Sequence, residues 1–181
     1  MTNVLFLDLE TQKTAEDVGG WEHAADMLVA VVVTFNTANE RFHVYEETDI
    51  PLLFDELAES DLVVGYNIKK FDYSVLSKYV PSNFSFPATL DMMESVGRVV
   101  GHPVKLDNLA KTTLGESKTA SGLEAVRLFR DGLMHDLVEY CVQDVLITRD
   151  LYFHGLKHGV VSLTERDGTR RQVKVDWGRN E

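Results

Sequence analysis

Cysteine is almost missing from this sequence: Cys141 is the only one in 181 residues. That excludes an internal disulfide framework and any zinc site built on cysteine pairs. A lone cysteine in a helical stretch reads as a small buried hydrophobe. Long apolar runs are missing too, and none approaches the ~18 residues of a membrane span. Met-Thr-Asn and a short apolar run meet a carboxylate at Asp8, unlike the basic and long apolar regions of a signal peptide, so a cytoplasmic location is expected. Proline is sparse, with four residues, and no Pro/Gly/Ser linker, low-complexity tract or internal repeat is visible. Positive charge is also short. Lys and Arg total 18 against 29 Asp and Glu, a net charge of −11. Bulk charge therefore gives no attraction to nucleic acid or to an anionic membrane.

The deficit is local. Residues 1–61 hold 14 acidic side chains and two basic ones, Lys13 and Arg41, whereas residues 62–181 hold 15 acidic and 16 basic. The rest of the composition is ordinary: 44% apolar and 26% charged, in a length that suits one domain.

Val4 to Glu10 is a short, nearly continuous apolar run, as expected of a central strand covered on both faces. Met27–Phe35 and Arg41–Glu46 flank turn residues and read as a hairpin. Asp49 and Pro51 open a helix to about Glu59, with Asp49 as its cap. Leu62–Tyr66 reads as a strand, Phe71–Tyr79 as a short helix and Pro87–Met92 as a fifth strand. Helices are expected over Leu106–Leu114, Gly122–Phe129 and His135–Gly155. A terminal hairpin turns at Asp167-Gly168. Mixed strands followed by helices indicate an α/β or α+β domain.

Three acidic features stand out. Asp8 and Glu10, at i and i+2 of an apolar strand, share one face about 6.6–7 Å apart. Such a pair needs a compensating cation or a solvated strand end. In Asn67-x3-Phe71-Asp72 a carboxylate sits just inside a helix, where it could be a cap or a ligand. Tyr140 and Asp144, at i and i+4, share a helix face with Leu133, Leu137, Ile147 and Leu151. Asp91 reads as a helix cap or an extra outer-sphere carboxylate. The six histidines are not read as a zinc set.

Taken in order, Asp-x-Glu in a first strand, Asn-x3-Phe-Asp after a later strand and Tyr-x3-Asp on a late helix resemble the DEDD exonucleases of the ribonuclease H-like superfamily. That group includes polymerase proofreading domains and ribonuclease D. The last motif marks the tyrosine subgroup; the histidine subgroup has His where this chain has Glu139. Lys105 to Gly115 (KLDNLAKTTLG), Lys118, Gly122-Leu-Glu-Ala-Val, Gly159-Val160 and Trp177 look like parts of stand-alone bacterial and archaeal 3′–5′ exonucleases related to B-family polymerase proofreading domains.

The resemblance implies an α/β, ribonuclease H-like fold: a mixed five-stranded sheet flanked by helices, with a small C-terminal β-hairpin. Residues 1–155 would form the exonuclease domain, and residues 156–181 a hairpin appendage packed on it. It implies a metal-dependent 3′–5′ exonuclease acting on single-stranded DNA or RNA with two divalent cations, Mg²⁺ or Mn²⁺. Asp8, Glu10, Asp72 and Asp144 would hold them. Asp8 would bridge, Glu10 and Asp144 would complete the site of the attacking water, and Asp72 would hold the second ion. Tyr140 would join these four as a catalytic residue that orients the water, since a phenol's ordinary pKa of about 10 disfavours it as a base. Leu9 (through its backbone), Asn67, Phe71 and Lys118 would bind substrate. Lys69, Lys70, Lys105 and Lys111 are further candidates for phosphate contact, with plain surface solvation as the other reading.

Within these 181 residues there is no polymerase segment and no added nucleic-acid-binding helical domain. The grip on substrate is then expected from this domain, from a homo-oligomer or from a protein partner. Two alternatives stay open: a hydrolase of short oligonucleotides, and a non-catalytic interaction module that keeps the fold. An endonuclease of ribonuclease H type fits less well, because its second acidic residue stands on a helix.

Overall fold

The computed structural model describes residues 2–116 and 122–178. In chain order the elements are β1 (Val4–Thr11), α1 (Ala15–Val18), β2 (Val29–Asn36), β3 (Arg41–Tyr45), α2 (Ile50–Ala58), β4 (Leu62–Gly65), α3 (Asp72–Leu76), β5 (Thr89–Asp91), α4 (Met92–Val100), α5 (Leu106–Thr113), α6 (Gly122–Arg130), α7 (Met134–His158), β6 (Val160–Thr164) and β7 (Arg170–Lys174). The first five strands form one mixed sheet in the order β3-β2-β1-β4-β5, and β6 and β7 form a separate hairpin. This is the expected α/β architecture. No helix among the described residues is long and apolar enough to cross a membrane.

β1 lies in the middle, antiparallel to β2 and parallel to β4, which is in turn parallel to β5. Its pleat sorts its side chains. Leu5, Leu7 and Leu9 point into a core shared with Ile50, Leu53 and Leu57 of α2 and Val75 and Leu76 of α3. Val4 and Phe6 point the other way, into a core with Leu137, Cys141, Val145 and Leu151 of α7. Burying each of these large side chains stabilises the fold by roughly 1.5–3 kcal/mol. Truncating Leu7, 1% exposed, to Ala would cost about 2–5 kcal/mol. Asp8 and Glu10 continue the Val4–Phe6 face, so the alternation that builds the core also aims both carboxylates at α7.

The parallel pairing of β1 with β4 ends at Phe6 opposite Val64. Beyond it β1 keeps only β2, up to a bulge between Glu10 and Thr11. The chain after β4 turns away at Asn67, a non-glycine residue with φ of +63°, a conformation asparagine tolerates better than most. A cleft therefore opens beside Asp8, at the carboxyl ends of the parallel strands, where sheets of this kind place ligands.

The terminal hairpin is fixed from two sides. Thr113 of α5 exchanges hydrogen bonds with the Ser162 backbone, and Asn108 does so with that of Thr164. After β7, Trp177 stacks on Tyr152 at 6.2 Å and donates to Ser95 Oγ at 2.9 Å. Its ring fills the space over Gly155, where a Cβ would stand 2.3 Å from the indole.

Several expectations need correction. α4 is a full helix that the sequence implies only through Asp91 as a cap: Asp91 does cap it, Met92 and Val96 bury one stripe, and Gly101 closes it in the left-handed conformation. The interior Gly97 and three valines mask its periodicity. α3 stops at Leu76 rather than Tyr79, and α7 runs three residues past Gly155. Asp49 precedes α2 without capping it; its carboxylate accepts from Glu46 N–H in the preceding 3₁₀ turn. Leu133 lies before α7 and is exposed rather than part of the Tyr140–Asp144 face.

Candidate active site

Three elements deliver the carboxylates. β1 supplies Asp8 and Glu10, and α7 crosses that face and supplies Asp144. One oxygen from each lies within 4.8 Å of the other two, so the three could hold a metal ion between them. Glu10 and Asp144 are buried, and Asp8 is half-buried. Asp72 enters from the first turn of α3. It is 2% exposed, and its Oδ1 has no hydrogen-bond partner among the described residues. Asp72 is the first residue of α3 rather than its N-cap, which is Phe71. Burial pushes its carboxyl well above the usual carboxylate range, and the negative charge of Asp8 pushes it further. Asp91 adds to that, while the backbone of Leu9 pulls it down.

Cys141, buried one residue after Tyr140, packs under this cluster. Its thiol donates to the backbone oxygen of Asp8 at 3.3 Å and lies 3.5 Å from Asp8 Oδ2. Burial pushes the thiol pKa up, and the charges of Asp8, Glu10 and Asp144 add to the push. It thus stays a neutral thiol that helps hold Asp8, in keeping with the sequence reading of a buried hydrophobe. A hard cation matches what these acids need: oxygen ligands, low-dielectric surroundings and mutual repulsion to relieve.

The carboxylates line one wall of a cleft of about 560 Å³ that also takes in Leu9, Asn67, Phe71 and Tyr140. The expected metal, catalytic and substrate residues are thus gathered here, except Lys118, which lies outside the described residues; the further candidates Lys69, Lys70, Lys105 and Lys111 do not line this cleft. Tyr140 stands one helical turn before Asp144 and is 7% exposed. Asp91 is outside the cleft and serves the backbone instead. It accepts from the N–H groups of Asn67, Lys69 and Glu94 at 3.0–3.2 Å, pinning the turn after β4 and capping α4 with one carboxylate. The capping alternative for Asp91 is the observed one.

Some cleft residues escaped the sequence reading. Trp21 is 70% exposed and Leu123 72% exposed, and both line the opening. Trp21 meets Phe71 edge-on at 5.9 Å. The signal was there: a tryptophan in the polar stretch Gly-Gly-Trp-Glu-His has no periodic partner to bury it. Lys13, one of two cations in the acidic first third, also reaches this rim. His154 and His158 do form a pair four residues apart, their rings 4.4 Å from each other. They lie ten or more residues beyond Asp144, about 15 Å or more along α7, and so stand apart from the carboxylates. His135, Asp136 and Glu139 also bring ligand atoms together, but all three are exposed.

Comparison with known proteins bears on the fold and the family. No curated protein sequence matches the chain. Among solved structures, the family B DNA polymerase from the hyperthermophilic archaeon Pyrobaculum calidifontis aligns with a TM-score of 0.64 at 20% identity. The match covers 86% of this chain and 25% of that one, so the likeness is one of fold over a quarter of the polymerase. The family model of the RNase_H superfamily matches residues 5–154, a span that includes Asp8, Glu10, Asp72 and Asp144. The chain belongs to the RNase_H superfamily.

Proposed function

We propose that the protein is a metal-dependent 3′–5′ exonuclease of the DEDD type, tyrosine subgroup, that hydrolyses phosphodiester bonds at the 3′ end of single-stranded DNA or RNA. One observation carries this reading: Asp8, Glu10 and Asp144 converge within 4.8 Å in an open cleft, with Asp72 buried beside them. Asp8 would hold both of two cations, Mg²⁺ or Mn²⁺. Glu10 and Asp144 would complete one position, and Asp72 the other. Bound there, the ions supply an activated water and neutralise charge at the phosphate and the leaving 3′ oxygen.

The chain's own groups do the positioning. Tyr140, on the Asp144 face of α7, orients the water. The Leu9 backbone and Asn67 fix the terminal nucleotide, and Phe71 with Trp21 offers its base an apolar surface. Leu123 lines the same opening. Because bases must be splayed to meet such side chains, an unpaired 3′ end is the fitting substrate.

The test is degradation of 5′-labelled single-stranded DNA and RNA with Mn²⁺, Mg²⁺ or EDTA. The expected result is a ladder of 3′-shortened products that needs metal and vanishes in Asp144→Asn without loss of fold. Tight binding of either polymer with no hydrolysis in any metal would instead identify an interaction module.

A further inference from the structure

A second groove begins where the catalytic cleft ends. It measures about 440 Å³ and runs between the Asn67–Lys70 turn and α4. Asn67 lines both spaces. The floor is short or apolar, with Met93, Gly97 and Pro103. The walls are basic. Lys69, Lys70 and Arg98 are all exposed; Glu94 is paired with Lys69 at 3.0 Å, and exposed Asp176 shares the adjoining hollow with Arg98. The other acid of the groove, Asp91, is buried and taken up by three backbone N–H groups.

We infer that this groove carries the sugar-phosphate backbone of the substrate strand on the 5′ side of the scissile bond, with Lys70 and Arg98 as its phosphate contacts. The inference rests on the exonuclease reading above and extends it to the polymer. Charge selects this exit. Elsewhere the rim of the cleft bears Glu16 beside Lys13, and Glu22 lies beyond with Trp21 in a hollow that Lys69 also lines, so no excess of positive charge stands there. A polyanion leaving that way would meet negative charge as much as positive, whereas at the Asn67 mouth the cations Lys69, Lys70 and Arg98 outnumber the acids Asp91 and Glu94. The groove is also preorganised. Asp91 ties both walls, the turn and the start of α4, to the same carboxylate, so little ordering is needed when a strand docks.

The test compares a 12-nucleotide oligo-dT with the dinucleotide dTdT, using the full chain and Mn²⁺. In the double variant Lys70→Glu/Arg98→Glu, the ratio of kcat/KM for the 12-mer to that for the dinucleotide should fall at least about tenfold. Each lost phosphate contact should flatten the dependence of log affinity on log salt by about 0.7. Lys157→Glu, a single charge reversal near the end of α7 that matches Lys70→Glu in size, should leave the ratio unchanged. The single variant Lys70→Glu, at an exposed side chain, gives the same direction if the double variant folds poorly. Anisotropy of labelled oligo-dT bound to Asp144→Asn, with and without Lys70→Glu, reads the groove without turnover. An unchanged ratio together with unchanged oligo-dT affinity overturns the groove assignment and favours a hydrolase of short oligonucleotides. Loss of hydrolysis on both substrates by the unmodified chain, with oligo-dT affinity still sensitive to Lys70, would sink the exonuclease reading and keep the groove.

Discussion

Two buried acidic sites stand on the same sheet and are treated in opposite ways. Glu56 of α2 is 9% exposed and lies over β2 and β3. It accepts hydrogen bonds from Thr34 Oγ1, Asn36 Nδ2 and Tyr45 Oη, and His43 Nδ1 lies 2.7 Å from its Oε1. Around β1 and α7, by contrast, Asp8, Glu10 and Asp144 face one another, and Asp72 keeps a buried oxygen without a hydrogen-bond partner. Desolvating a carboxylate is costly unless donors replace the lost water. At Glu56 the protein supplies those donors itself. In the cleft it places like charges together, an arrangement that a cation from outside resolves. A buried acid that the fold surrounds with donors is structural; acids brought within 4.8 Å of one another could hold a metal ion.

Substitutions can break this contrast. Asp8→Ala should lower hydrolysis at least about 100-fold, as expected for loss of a central charge-stabilising group. Its melting temperature in EDTA should hold or rise, because one of several repelling charges is gone. A large fall in EDTA would make Asp8 a structural acid like Glu56. Glu56→Ala should do the reverse. It strands several buried donors and should cost about 3 kcal/mol, lowering Tm by about 6–12 °C, while the folded protein keeps its turnover rate. Loss of rate without loss of Tm would overturn that assignment.

The proton balance of Asp72 sharpens the same point. Burial and Asp8 raise its folded pKa above the unfolded value near 3.8. Between those two values the folded chain holds a proton that the unfolded chain has released, so metal-free stability falls as pH rises through the window. Mn²⁺ should therefore raise Tm more at pH 8 than at pH 5, and Asp72→Asn should flatten the pH dependence measured in EDTA. An equal Mn²⁺ shift at both pH values would remove Asp72 from cation binding. The smallest effect is expected at Tyr140: Tyr140→Phe should slow hydrolysis about tenfold while preserving the Mn²⁺-induced rise in Tm. An unchanged rate would leave Tyr140 as a packing residue of the α7 face.

Much of the sheet was legible because β-branched runs and turn residues are local signals. The central strand, the hairpin of β2 and β3, and the last hairpin could all be read from their own residues. α4 was not, since its stripe is only Met92 and Val96 and its interior holds a glycine. The site carboxylates were legible as anomalies, charges interrupting apolar patterns. Asp91 looked much the same in sequence, and only its three backbone partners separate it from them. Trp21 and Leu123 were passed over because exposure around a cleft has no local pattern.

By itself, the sequence determined that Asp8 and Glu10 share a face and that Tyr140 and Asp144 share another. Strand and helix periodicity place side chains two and four residues apart without reference to the rest of the chain. The tertiary structure decided that those two faces meet, since β1 and α7 are more than 120 residues apart along the chain and only packing across the sheet brings them together. It also decided where positive charge lies. The count of −11 is a property of the whole chain, whereas the field that a substrate meets depends on which side chains line one groove, and there Lys70 and Arg98 stand beside an acid that Lys69 already holds.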